Sequence, residues 1–410
     1  MKIRRVLFAC FVFSAMYCSL VVAGPDSVSS KTYKALTDIQ EIMGEGNTEE
    51  AYARLKTLLT EVDEDTLDQA LTLQTLGYVE MARENFPEAI DHLKQSLLLN
   101  RLPQNVVYNV GYMVAQLHAA LGEYTEALSF AETWFKQLTE PKPSQYIFMA
   151  NIYAQVKRYD ESIPYAEKAV SLSDNPKETW FQLLTASYFE LERFREAAKT
   201  LQQLINRWPE KPGYWEQLAS VYVMLDDESS ALAVLKIAFS EGVLEKENTI
   251  KSLVQLSVVK GIPEHAARLL EKAFAKKLLE ENEDYLKMLA VALTSAKERD
   301  AAIKAFERMA QTTSKGDPWI SISNLYVETG NWKQAEAALS RALEKDLDEP
   351  GKAWLLLGIA QAEQQKFSAA KKSLRKSAAF ESTERSASRW MKYADDMKRQ
   401  ADWMNEYRDG

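Results

Sequence analysis

The sequence predicts an all-α protein built of stacked helical hairpins, and three observations lead to this fold class. Glycine is scarce, at 14 of 410 residues, about half of the ~7% usual in globular proteins. The strong helix formers alanine, leucine, glutamate and lysine dominate the composition instead. A small residue also recurs about every 35 residues along most of the chain. Such a period is typical of repeat proteins, in which one supersecondary unit stacks on the next.

The first element along the chain, residues 1–23, is predicted to be a secretory signal peptide. A basic start at residues 2–5 is followed by an apolar run over residues 6–22 and by small residues that favour cleavage after Ala23. The alternative is a retained membrane anchor, because this 17-residue segment, interrupted only by Ser14 and Ser19, approaches the lower limit for a span. The Gly-Pro dipeptide that follows favours cleavage, so the expected location is the periplasm.

The composition left after cleavage argues against several functions. Cleavage would remove both cysteines, Cys10 and Cys18, together with three basic residues, so the formal net charge would fall by three, from −9 to −12. An acidic chain lacks the basic footprint that nucleic-acid binding requires. Only three histidines occur, far apart in sequence, and both cysteines precede residue 20, so an enzyme built on histidine, cysteine or a zinc cluster is not expected. We therefore expect no catalytic residues, no metal, no cofactor, no nucleic-acid partner and no membrane span after cleavage.

Residues 24–380 are predicted to form about ten hairpins. In each, a small residue near the start of the second helix is followed by an apolar residue four positions later and, in eight of the ten, by another seven positions later, as expected for a packing stripe. These small residues are Ala51, Ala89, Ala127, Ser162, Ala197, Ala231, Ala266, Ala302, Ala335 and Ala370. A second set on the first helices should let the paired helices approach closely. It comprises Gly77, Ala115, Ala150, Ala219, Ala290 and Gly358.

The last element, residues 381–410, is predicted to be a polar capping helix, since solenoids need a terminal unit with a solvated outer face. The two ends differ in charge. Residues 41–68 hold nine acidic and two basic side chains, whereas residues 366–399 hold ten basic and four acidic ones. One interpretation is that these are solvated caps; the other is that the two ends meet different partners.

The pattern inside each unit resembles the tetratricopeptide repeat, for example in Trp215, Leu218, Ala219, Tyr222 and Ala231. This resemblance implies a right-handed α-α superhelix in which the first helix of each unit lines a concave groove. More narrowly, residues 214–222, 231–239, 261–267 and 330–335 resemble the repeat proteins that accompany TonB–ExbB–ExbD energy-transducing systems in Gram-negative bacteria. That resemblance implies an accessory role in outer-membrane nutrient uptake, through contact with a TonB-type transducer.

The resemblance also implies which side chains face the groove, because positions two, five, nine and twelve of each first helix point inward. The predicted lining is amide-rich, aromatic and nearly uncharged, which is typical of interface cores. It consists of Gln74, Tyr78, Met81, Asn109, Tyr112, Gln116, Ile147, Asn151, Gln182 and Phe189. An extended or helical peptide would fit such a lining. The alternative is that these residues only pack against adjacent repeats.

The predicted function is therefore a non-enzymatic scaffold that binds protein or peptide partners. The second hypothesis is a cell-envelope enzyme or a regulator of a cell-wall hydrolase. An enzyme would need a cluster of convergent polar residues, and the sequence suggests none.

Overall fold

The computed structural model describes residues 27–408, with side chains up to residue 404, and the candidate signal peptide lies outside this part. Residues 27–408 form 21 α-helices and one isolated bridge between Lys315 and Asp346, without a strand. The predicted fold class, an all-α solenoid of helical hairpins, is confirmed. The chain divides into two compact units after Thr200.

The first unit contains nine complete helices and the start of a tenth. They are α1 (Ser30–Gly44), α2 (Thr48–Glu61), α3 (Leu67–Ala82), α4 (Phe86–Leu98), α5 (Gln104–Leu121), α6 (Tyr124–Phe135), α7 (Pro143–Gln155), α8 (Tyr159–Ser171), α9 (Glu178–Glu190) and α10 (Phe194–Arg207), the last of which continues past the division.

The second unit contains the remaining helices. They are α11 (Pro212–Met224), α12 (Glu228–Ser240), α13 (Glu247–Val259), α14 (Pro263–Ala275), α15 (Glu283–Ser295), α16 (Arg299–Thr312), α17 (Asp317–Glu328), α18 (Trp332–Ala342), α19 (Pro350–Glu363), α20 (Phe367–Ala378) and α21 (Glu381–Arg408). In the described part, no helix is both long enough and apolar enough to cross a membrane.

Within each unit, a helix packs mainly against the helices next to it in the chain. The predicted repeat explains this packing. All ten small residues at the start of the second helices, from Ala51 to Ala370, have 0% of their surface exposed. The hydrophobic clusters extend from one hairpin into the next, as where Ala51 and Leu55 of α2 pack with Leu76 and Val79 of α3. The core therefore runs continuously through consecutive hairpins of a unit.

The two helices of a hairpin approach closely where the first helix carries a small residue, as predicted. A Cβ atom added to Gly77 would lie 2.5 Å from Cγ of Leu93, and one added to Gly358 would lie 2.6 Å from Cγ of Leu374. In another hairpin the contact is a hydrogen bond of 2.7 Å from the Ser162 hydroxyl to the carbonyl oxygen of Ala150. The small first-helix residue thus sets the distance between the paired helices.

We expect Gly77→Ala to destabilise the first unit by about 1–2 kcal/mol, because overpacking of a core costs ~1–3 kcal/mol and alanine recovers at most ~1 kcal/mol of helix propensity. Gly111→Ala is the matched control, since Gly111 also lies within a helix but has nothing within 4 Å of an added Cβ. This control should stabilise the unit by about 0.5–1 kcal/mol. Urea unfolding measures both; a Gly77→Ala variant as stable as the control would contradict the close approach.

The turn inside each hairpin carries a residue with positive φ, always five positions before the small residue of the second helix. Four of these residues are glycine and six are not. The ten are Gly46, Glu84, Gly122, Lys157, Glu192, Asp226, Gly261, Lys297, Gly330 and Gln365, with φ between 55° and 86°. At Lys297 the turn is closed by backbone bonds from Lys297 to Thr294 and from Glu298 to Leu293. This pair of bonds is the Schellman motif, in which glycine is preferred.

Exchanging the residue types at two of these turns should change stability in opposite directions. Gly330→Lys should destabilise by about 1 kcal/mol, because a residue with a Cβ atom is disfavoured at positive φ. Lys297→Gly should stabilise by a few tenths of a kcal/mol up to about 1 kcal/mol, since the added backbone freedom of the unfolded chain offsets part of the gain. Gly330 and Lys297 are both exposed in their turns, and thermal unfolding of both variants provides the measurement. Effects of the same sign would contradict this interpretation.

The final helix α21 packs on α19 and α20. Its inward stripe includes Ala387 and Ala394, both with 0% exposure, and Lys371 of α20 forms an ion pair of 2.7 Å with Asp395. Its opposite side lies in solvent.

Candidate functional site

The predicted lining residues all lie on four first helices of the first unit: α3, α5, α7 and α9. Within each helix they are three, four or seven residues apart, so they share one face. We call this surface the first-helix face. The structure divides its ten side chains into a buried or half-buried set and an exposed set.

The α3 part of the face is mostly used internally. Gln74 is only 7% exposed, and its amide donates a hydrogen bond of 2.8 Å to the hydroxyl of Tyr78. Burial raises the pKa of Tyr78, and the bond from Gln74 opposes this shift. Tyr78 and Met81 pack against the hydrophobic cluster formed by α3, α4 and α5. These three side chains are therefore mainly structural.

Tyr112 of α5 belongs to an aromatic cluster that the sequence does not reveal. Its ring stacks on Trp134 with centroids 4.1 Å apart and an angle of 14°, and it meets Phe148 of α7 edge-on at 4.9 Å. The cluster continues from Trp134 to Phe135 and from Phe135 to Tyr165. Tyr112 thus joins α5, α6 and α7, which corresponds to the packing alternative.

Ile147 and Phe189 are half-buried as well. Both pack against the cluster formed by α7, α8, α9 and Ala197, and Phe189 meets Phe194 edge-on at 5.9 Å. Their apolar surface is shared between the core and the first-helix face.

The exposed set consists of amides. Asn109, Asn151 and Gln182 are exposed, and Gln116 is half-buried. Asn151 uses its amide nitrogen for a bond of 2.8 Å to the carbonyl oxygen of Ile147. Asn109 and Gln116 make no side-chain hydrogen bond with the described part of the chain. Successive first helices thus present neutral groups that can both donate and accept hydrogen bonds.

Several tyrosines outside this face donate a hydrogen bond from the side-chain hydroxyl to a carboxylate of the preceding hairpin. Tyr153 donates to Glu132 at 2.8 Å and Tyr188 donates to Glu167 at 2.5 Å. Burial, followed by the hydrogen bond to the carboxylate, raises the pKa of both tyrosines far above the usual value. In the second unit the same two causes raise the pKa of Tyr285, which donates to Glu247, to about 12. These hydroxyls hold adjacent hairpins together and are not poised as acids.

The second unit contains an open depression of about 420 Å³ between α11, α12 and α13. The same position count that predicts the first-unit lining, applied to Ala231, gives Glu216, Ser220 and Val223, and all three line this depression. Val223 is 48% exposed and its neighbour Met224 is 56% exposed. Glu216 accepts hydrogen bonds from Lys246 at 2.7 Å and from Thr249 at 2.8 Å. The depression is thus apolar with one neutralised carboxylate.

Within residues 27–404 the titratable groups that could form a site are dispersed. The histidines lie apart on α4, α5 and α14, and burial lowers the pKa of His92 and of His265. His118 contacts Glu123 at 2.7 Å. Over the same residues, no group of three His, Cys, Asp or Glu side chains could hold a metal ion. The exposed polar groups of the first-helix face are suited to recognition rather than to proton transfer.

Family models described as tetratricopeptide repeat match residues 146–176, 187–239 and 321–381 of this chain. The matches cover most of α7 and α8, the end of α9 with α10, α11 and most of α12, and most of α17 with α18, α19 and α20. The chain therefore contains tetratricopeptide repeats, with matched residues in both of its units, and its fold is that of a tetratricopeptide solenoid. A search of curated proteins finds no match.

Several solved structures of low sequence identity are similar. A tetratricopeptide repeat protein from Parabacteroides merdae is 17% identical with a TM-score of 0.38, and the alignment covers 65% of this chain and 100% of that one. MamA from Desulfovibrio magneticus is 17% identical with a TM-score of 0.37, and the alignment covers 44% of this chain and 96% of MamA. YrrB, described as having an unusual peptide-binding site, is 19% identical with a TM-score of 0.35. The alignment covers 48% of this chain and 100% of YrrB.

Proposed function

We propose that this protein is a non-enzymatic scaffold whose first-helix face binds a protein or peptide partner. The observation that carries the proposal is the row of exposed amides on α5, α7 and α9, namely Asn109, Asn151 and Gln182. They are set among half-buried apolar side chains such as Ile147 and Phe189. An amide can pair with both the N–H and the C=O groups of an extended backbone, while adjacent apolar surface accepts side chains.

The structure changes which residues test this proposal. The sequence predicts Tyr112 to line the groove and thus to bind the partner. Because Tyr112 stacks on Trp134, we expect Tyr112→Ala to destabilise the protein by about 2–4 kcal/mol. Loss of binding in that variant would therefore carry no information, and the exposed amides provide the better test.

Asn109→Ala combined with Asn151→Ala should weaken partner capture roughly tenfold, since each lost hydrogen bond contributes about 0.5–1.5 kcal/mol. Both positions lie within helices, where alanine is preferred over asparagine, so the melting temperature should be unchanged or slightly raised. Capture is measured with immobilised protein and a periplasmic extract, with bound proteins quantified by mass spectrometry.

Asn206→Ala is the matched control, because Asn206 is exposed on the second helix α10 and lies outside the first-helix face. It should leave capture unchanged. If the double variant captures its partners as well as the wild-type protein does, the first-helix face is not the binding site.

We propose further that the protein acts in the periplasm as an accessory of TonB-dependent transport. Supporting arguments are the signal-like composition of residues 1–23 and the resemblance over residues 214–222 and 330–335. A periplasmic location would bring the chain into contact with the periplasmic part of a TonB-type transducer.

We expect the processed protein to begin at Gly24 and to fractionate with periplasmic proteins, because the small residues before Gly24 form a cleavage site. N-terminal sequencing of protein from fractionated cells measures this, and a chain that retains Met1 would contradict export.

Titration with the purified periplasmic domain of the transducer from the same organism tests the partner separately. Absence of binding there would exclude the TonB-type partner while leaving the scaffold role to the capture experiment.

A further inference from the structure

The two terminal helices of the described chain carry exposed faces of opposite charge. The outer face of α1 consists of Lys34, Asp38 and Glu41, continued by Glu45 at the C-cap, and all four side chains are exposed. The buried side of this helix is formed by Thr32 and Ile39. We call the four exposed residues the acidic end face. None of them has a side-chain partner within the described residues.

The corresponding surface of α21 is basic. Its buried stripe contains Thr383, Ala387 and Ala394, and the opposite side presents four exposed residues that we call the basic end face. These are Arg385, Arg389, Lys392 and Asp396. The three cations have no side-chain partner within the described residues, whereas Asp396 is paired with Arg399.

The charges on the two faces have the same spacing in opposite chain directions. From Glu45 backwards, the charged positions of the acidic end face are separated by four, three and four residues; from Arg385 forwards, those of the basic end face are separated by four, three and four residues. The helical rise is the same in both, so antiparallel helices bring all four positions into register over about 16 Å. The resulting pairs are Glu45 with Arg385, Glu41 with Arg389, Asp38 with Lys392 and Lys34 with Asp396.

We propose that copies of this chain associate head to tail, with the acidic end face of one copy docked antiparallel on the basic end face of another. The fourth pair supports a specific register, because the single cation of one face falls opposite the single carboxylate of the other. Two copies docked antiparallel through like end faces would pair opposite charges at only two of the four positions and would place like charges together at the other two, which is unfavourable. A contact between two different faces does not close by itself, so it builds rings or open chains of molecules.

The neighbouring helices also carry exposed charges. Asp63 and Glu64 are exposed beyond α2, and Lys372 and Arg375 are exposed on α20. Exposed ion pairs are individually weak, so the association should require protein in the micromolar range or above and low ionic strength. Since the Debye length falls to about 3 Å at 1 M salt, the association should then disappear.

Sedimentation velocity over a concentration series is the first test. At low ionic strength the weight-average mass of the wild-type protein should rise with concentration, and at ~1 M NaCl the protein should sediment as a monomer. A monomer at every concentration in low salt would overturn the proposal.

Charge exchange is the second and sharper test. Glu41→Arg and Arg389→Glu should each weaken association at least tenfold, and both together in one chain should restore it, because the pair is re-formed with its charges exchanged. Both side chains are exposed, and circular dichroism checks the folding of each variant. Glu245→Arg and Lys304→Glu are the controls, since they make the same charge changes at exposed sites on neither end face. A double variant as monomeric as the single ones, or controls that reduce association equally, would exclude the register.

Zero-length carbodiimide coupling of unmodified protein provides the third test. A mixture of ¹⁴N and ¹⁵N chains should yield linked peptides joining Asp38 to Lys392 and Lys34 to Asp396, with both isotopes in one product. Products that always combine a single isotope would show a contact within one molecule and would contradict head-to-tail association.

Discussion

The close approach of two helices within each hairpin is the constraint on which the rest of the structure depends. At Gly77 and Gly358 there is no room for a Cβ atom without movement of a leucine on the partner helix, and the small residue of each second helix is fully buried at the same interface. Protein interiors are densely packed, so a change of one methyl group is felt there. Once this distance is set, the bulky residues on either side can reach the next hairpin.

The turn geometry has the same origin. Two closely paired helices must be joined by a short turn. Each of these turns contains one residue with positive φ. Lysine, glutamate, aspartate or glutamine occupy this position in six turns at an energetic cost. The tertiary contacts of the hairpin therefore outweigh the local preference of the turn residue. Repeat proteins distribute stability over such neighbouring contacts, which allows individual turns to depart from the optimal residue.

Much of the fold could be predicted because its determinants are local and repeated. The spacing of Ala51, Ala89 and the later small residues identifies the second helices, and all ten of these residues are completely buried in the structure. The turn residues could not be predicted, since six of ten are not glycine. The division after Thr200 was not predicted either, because the repeat period continues across it without a break.

The candidate site was predicted less well for a physical reason. Counting positions along a first helix identifies the side of the helix, whereas the exposure of a side chain depends on its neighbours. Tyr112 is covered because Trp134 of the following helix lies under its ring, and Gln74 is covered because Tyr78 accepts its hydrogen bond. The same count in a later repeat gives three of the residues that line the depression beside Val223. The count does not reveal that an open space forms there, because this depends on how three helices pack.

Charge pairing follows the repeat as well, and the two ends interrupt this pattern. Ion pairs between hairpins join residues about one repeat apart, as in Arg83 with Glu49, Arg268 with Glu298 and Lys366 with Glu336. Each such pair is weak when exposed, but each requires a following or preceding hairpin. The outer faces of α1 and α21 have no such neighbour among the described helices, so their charges remain available to another molecule. In a solenoid the terminal faces are thus the places where the pairing pattern of the interior is left incomplete.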